Sequence, residues 1–109
     1  MTFIAMNRFR IALGREGEFE TIWRERESNL MGLPGFRVFH LLRGPSNDEF
    51  TLFATHTTWE SRRHFEDWTQ SEAFRRSHGS AARPTGLYLG PPQFEGFEVV
   101  PGLTVEANP

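Results

Sequence analysis

Within the first 31 residues the spacing of apolar side chains changes from two to nearly four, which constrains the fold more than any single motif. Residues 2–11, TFIAMNRFRI, alternate as a strand does. Phe3, Ala5, Asn7, Phe9 and Ile11 fall on one side, and Ile4, Met6, Arg8 and Arg10 on the other. Gly14 breaks the pattern. From Glu16 to about Met31, Phe19, Ile22, Trp23 and Leu30 are spaced for one face of a helix. GLPG at 32–35 ends it, because Pro34 disfavours helical geometry at the preceding Leu33. The period of two returns in FRVFHLLR at 36–43 and in EFTLFATHT at 49–57, joined by the turn-rich GPSND.

Thr57 and Glu60 have capping-box spacing and predict a helix over 58–67. Thr69 and Glu72 repeat that spacing and predict a second piece over 70–78, stopped by Gly79, so that Trp68 stands at the joint. Residues 80–86 read as loop. FEGFEVV reads as a last strand, whose internal glycine hints at a bulge. The order is β-α-β-β-α-β, an α+β ferredoxin-like pattern with a four-stranded antiparallel sheet. It forms a single domain over 1–109, and residues 101–109 read as a disordered tail.

Two helices cover only one face of such a sheet. The strands nevertheless carry apolar residues on both: Val38 and Leu42 against Phe39 and Leu41, and Phe50 and Leu52 against Phe53. Composition sharpens the point, with 11 Phe and 3 Trp against one Tyr in 109 residues. That aromatic surface has to be buried, so the uncovered face is expected to pack on a second copy in a homodimer. A net charge of −2, with both signs interspersed, gives no electrostatic footprint for nucleic acid or an anionic membrane. No segment approaches the ~20 apolar residues that span a bilayer, and MTFIAMNRFR does not read as a signal peptide. Cysteine is absent, which removes disulfides, thiolate metal sites and cysteine nucleophiles and suits a cytoplasmic location.

A few residues stand out as carriers of chemistry. Asn7 puts a carboxamide into an otherwise apolar row, where it bonds a neighbouring loop or points at a ligand. Arg26 is the only charge in the stripe 19, 22, 23, 26, 30; it snorkels to solvent or meets a carboxylate from outside the chain. Trp68 is a core anchor or the wall of a pocket. His78, just before Gly79, is a cap on the negative end of a helix dipole or an imidazole ligand for iron, with Phe74 one turn earlier lining its surroundings. His40, His56 and His64 lack zinc-motif spacing and read as packing or surface residues. There is no Gly-rich phosphate loop, no G-x-S-x-G and no H-E-x-x-H.

Taken together, FIAMNRFRI, PGF, TLFATHTTWES, WTQSEAFRRSH and FEGFEVV resemble the IsdG-type haem-degrading monooxygenases. These belong to the antibiotic biosynthesis monooxygenase superfamily of dimeric α+β barrels. The resemblance implies that His78 is the proximal ligand to haem iron and that Asn7 donates a hydrogen bond on the distal side. It also implies that Trp68 presses the porphyrin out of plane. Haem would be both cofactor and substrate, opened with O2 and electrons from an external donor so that iron is released. A propionate contact for Arg26 follows from the helical stripe. Two other functions remain open on the sequence: a cofactor-independent monooxygenase acting on a quinol or polyketide, and a non-catalytic haem-binding protein.

Overall fold

A computed structural model describes residues 1–26, 30–72, 74–75 and 84–107. In chain order these form β1 (Phe3–Ala12), α1 (Glu16–Glu25), β2 (Phe36–Ser46), β3 (Phe50–Trp59), α2 (Arg62–Thr69) and β4 (Gln93–Glu98). The four strands make one antiparallel sheet in the order β2-β3-β1-β4, the ferredoxin-like arrangement expected from the period changes. Among the described residues no helix is long and apolar enough to cross a membrane.

Several element ends differ from the sequence expectation. Helix α1 stops at Glu25, and Arg26 already has extended backbone with φ −68° and ψ 127°. Leu30 consequently leaves the stripe of Phe19, Ile22 and Trp23 and packs beside Phe3 and Trp59, under the other helix. Strand β3 runs on to Trp59, because Thr57 and Thr58 keep their pairing with Ala5 and Ile4. Ser61, not Thr57, caps α2, its Oγ accepting from His64 N at 3.2 Å. Likewise Ser71, not Thr69, caps the next turn by accepting from Phe74 N at 3.2 Å, while the Thr69 hydroxyl donates to the Glu66 carbonyl at 2.6 Å. GPS of the expected linker belongs to β2 beyond a register shift, and the turn is built by Asn47, whose Oδ1 accepts from Glu49 N and Phe50 N. Gly96 makes no bulge. It lies opposite Ala5, where a Cβ would come within 2.6 Å of Phe3 Cζ, so glycine there makes room for that ring.

The helices cover the face formed by Phe3, Ala5, Asn7, Phe9 and Ile11 and their β3 partners Trp59, Thr57, Thr55, Phe53 and Thr51. Two separate cores form there. Ile11, Phe53 and Leu87 pack with Phe19 beneath α1; Phe3, Ala5 and Trp59 pack with Phe65 and Trp68 beneath α2. Each large side chain fully buried in them stabilises the fold by about 1.5–3 kcal/mol. The opposite face carries Ile4, Met6, Val38, Leu42, Leu52 and Phe97, of which Leu42 is 40% and Phe97 47% exposed.

Two contacts outside the cores lend themselves to measurement. Gly35 has φ +78°, and a Cβ on it would lie 2.3–2.6 Å from the Cβ, Cγ and Cδ2 of His64. The atoms in the way belong to a ring held by Ser61 Oγ at 2.7 Å from Nδ1, and Gly35 O also accepts from Glu60 N at 2.8 Å. Gly35→Ala is therefore expected to destabilise the domain by about 1–3 kcal/mol, read as a lower urea midpoint at unchanged m-value. At the other end, the Thr51 hydroxyl donates to Glu16 Oε2 at 2.7 Å and Gly14 N donates to the same oxygen at 3.2 Å. These bonds, the Thr51 hydroxyl above all, hold the Glu16 carboxyl below the usual carboxylate range. A depressed folded-state pKa contributes stability that is present above the unfolded value and lost as pH falls through the folded one. Glu16→Gln should thus lower the melting temperature at neutral pH, and the gap from wild type should close on acidification.

Candidate active site

The space between the two cores follows from side-chain size along two strands. In β1 the covered row runs Phe3, Ala5, Asn7, Phe9; in β3 its partners run Trp59, Thr57, Thr55, Phe53. Large rings occupy both ends and small or polar groups the middle, so the helices rest on the ends and span a gap. Ala5, Asn7, Thr55 and Thr57 form its floor, Trp23, Arg26 and Phe39 one side, and Leu30, Phe65 and Trp68 the other. The enclosed cavity is about 100 Å³, and with its open mouth the slot amounts to about 660 Å³, so a large ligand would lie partly in the opening. Phe94, the β4 partner of Asn7, stacks on Phe65 at 5.5 Å and 11° along its edge.

Three of the residues singled out in the sequence meet in this slot: Asn7, Arg26 and Trp68. Among the described residues no side chain or backbone group hydrogen-bonds the Asn7 carboxamide, so the neighbouring-loop alternative finds no support there. The Arg26 guanidinium carbon lies 4.5 Å from the centre of the Trp23 ring, a cation–π contact that holds a positive charge at the slot wall. Trp68 is packed by Trp59 at 5.5 Å and Phe65 at 6.2 Å, and Phe74 stands edge-on to it at 4.9 Å and 85°. Trp68 is thus both anchor and wall. His78 and Gly79 lie outside the described residues.

The other histidines are not in the slot. His64 packs on Gly35 and bonds Ser61, while His40 and His56 pair across β2 and β3 on the opposite sheet face. Sequence reasoning missed Trp23, Phe39, Phe65, Thr55 and Thr57 as lining residues. The two threonines had a signal: the dip in side-chain size at Thr55 and Thr57 mirrors the one at Ala5 and Asn7 once β1 and β3 are paired. Trp23 shares with the core residue Trp59 an indole Nε1 that is buried without a hydrogen-bond partner among the described residues.

Fold and slot together define a ferredoxin-like α+β domain with an aromatic cleft between its helices and its sheet. The chain belongs to the antibiotic biosynthesis monooxygenase family, whose model matches residues 2–80. It is 37% identical over 70 residues to a heme-degrading monooxygenase of Shouchella clausii (strain KSM-K16), a match covering 63% of each chain. The match thus spans less than two thirds of that curated relative's length. A crystal structure of a point mutant of MhuD, with two manganese protoporphyrin IX bound per active site, is similar at 30% identity and a TM-score of 0.74, covering 96% of this chain and 99% of that one. The heme-degrader MhuD of Mycobacterium tuberculosis, with two hemes bound in its active site, is similar at 29% identity and a TM-score of 0.71, covering 95% and 99%.

Proposed function

We propose that this protein is a haem-degrading monooxygenase that opens the porphyrin with O2 and electrons from an external donor and releases iron. The observation that carries the reading is the slot itself: an aromatic-walled cleft with one amide, one guanidinium and two hydroxyls along its lining. Haem is a flat apolar disc with two carboxylates, and this donor set fits it. Trp68, Phe65, Trp23 and Phe39 supply apolar faces, and Arg26 supplies the charge for a propionate. Bound haem supplies the iron centre at which O2 is activated. Asn7 would offer its amide N–H to a bound haem from the slot floor, and Trp68, braced by Trp59, Phe65 and Phe74, would press on the macrocycle. His78 is proposed as the proximal ligand; it follows Phe74 by four residues in sequence. The relatives that degrade or bind haem support the same reading.

The test is a titration of the purified chain with haemin, followed by reductant in air. A Soret band that forms at one or more equivalents and then bleaches is the expected result. Binding without bleaching leaves a haem carrier. No binding leaves a cofactor-independent monooxygenase of a quinol or polyketide, since the fold alone would serve either. The face of Ile4, Met6, Val38, Leu42, Leu52 and Phe97 is proposed to pack on a second copy, sheet against sheet, because an apolar face of that extent is not left to water. Sedimentation at micromolar concentration should give a dimer, whereas a stable species near the 12.6 kDa of one chain would remove that proposal.

A further inference from the structure

A second cleft opens on the far side of one wall of the slot. On β2 the period of two puts Phe39, Leu41 and Arg43 on the helix side of the sheet, opposite to Val38 and Leu42. The cleft therefore stays open when a second copy packs on the other face. On α1, Glu20 and Arg24 lie one turn apart, and Trp23, just before Arg24, stacks on Phe39 at 5.6 Å and 26°. That stack is common to both spaces. The slot lies on one side of it; on the other a cleft of about 370 Å³, or about 700 Å³ with its open mouth, runs over Leu41 and Phe53. Small-molecule sites occupy about 300–1,000 Å³, so this space is of the right size for one.

We propose that this cleft binds a flat aromatic ring bearing a carboxylate or a phosphate, with the ring against the Trp23–Phe39 wall and the anion between Arg24 and Arg43. The charges at the rim carry the choice of an anion. Glu20 Oε1 accepts from Arg24 Nη2 at 3.3 Å, and Glu20 Oε2 accepts from Arg43 Nη1 at 3.2 Å. A guanidinium has five N–H donors, and each arginine uses one of them here. Among the described residues neither makes a further hydrogen bond. Two guanidiniums against one carboxylate leave a positive charge at the cleft, although the chain as a whole carries −2. Arg43 is also held over the floor, its guanidinium carbon 5.7 Å from the centre of the Phe53 ring. The Arg24 and Arg43 side chains are 72% and 55% exposed, so an anion reaches the remaining donors directly from solvent. Charge-assisted bonds to a guanidinium are stronger than neutral ones, and the aromatic wall offers a stacking face that an aliphatic anion could not use. The site needs neither Asn7 nor His78 and so stands apart from the haem reading.

The experiment is a calorimetric titration of the full haem-free chain with 2-naphthoate, 2-naphthyl phosphate and the neutral 2-naphthamide. At least one of the two anions is expected to bind at one equivalent per chain, and the amide about tenfold or more weaker. Whichever anion binds more tightly tells whether the natural ligand is an aromatic acid or a phosphate. Arg24→Gln and Arg43→Gln should each weaken the anion about tenfold, since each removes charged donors. Arg26→Gln should leave the affinity unchanged, because Arg26 lines the slot and not the cleft. His78→Ala should also have no effect, which keeps this result separate from that of the haem titration. The proposal is overturned if neither anion binds wild type at millimolar concentration, or if the amide binds as well as the anions. It is equally overturned if the Arg24→Gln/Arg43→Gln double variant, with native circular dichroism, keeps wild-type affinity, or if Arg26→Gln is the variant that loses it.

Discussion

Replacing His78 with alanine is expected to abolish the haem complex or weaken it by at least about a hundredfold, with the Soret maximum lost or moved. The expectation rests on what the rest of the chain can offer. There is no cysteine, His64 is tied to Ser61 and packed on Gly35, and His40 and His56 lie across the sheet from the slot. None of these can replace an axial nitrogen without unfolding part of the domain. If His78→Ala kept both affinity and Soret position, the iron ligand would be some other group and His78 a helix cap. Adding imidazole to the variant separates the cases further, since a missing ligand can be restored from solution and a missing cap cannot.

The second large effect is expected at Asn7, and it should split turnover from stability. An amide in the slot floor that gains no hydrogen bond from the described residues contributes nothing to holding the fold. Asn7→Leu should therefore bind haemin near wild-type affinity and melt close to the wild-type temperature, because a half-buried amide that lines the open slot gives up no hydrogen bond to the described residues. Its bleaching rate with reductant and O2 should fall by about 10²–10³, the loss expected when a donor acting on developing charge is removed. Bleaching at the wild-type rate would end the role assigned to Asn7. Trp68 gives a less clean contrast: as a wall packed by three aromatic rings it carries structural weight, and Trp68→Phe is the substitution that tests the press on the porphyrin without emptying the core.

The element order and the covered face were legible in the sequence because both depend on period, and period survives tertiary packing. Phe3, Phe9, Ile11 and Phe53 fall where alternation placed them. The ends were less legible, since capping boxes at Thr57 and Thr69 compete with strand pairing and with nearby serines, and the outcome depends on neighbours distant in sequence. Asn7 could be singled out as a polar interruption of an apolar row. Thr55 and Thr57 could not, because their meaning appears only once β3 is set beside β1 in register. The same holds for His40 and His56, which are 16 residues apart, have no motif spacing, and become neighbours through strand pairing alone.

The division of the core into two clusters separates two kinds of inheritance within one small chain. The residues that hold the helices down sit in the end rows: Phe3 and Trp59 on one side, Phe53 and Ile11 with Phe19 on the other. The small and polar residues that floor the slot sit in the two rows between them. Substitutions at Asn7 or Thr57, which line the cleft without belonging to either core cluster, can thus change its shape while the anchors keep the scaffold folded. A chain organised this way can drift from one substrate to another through folded intermediates, each step altering chemistry without first risking the architecture.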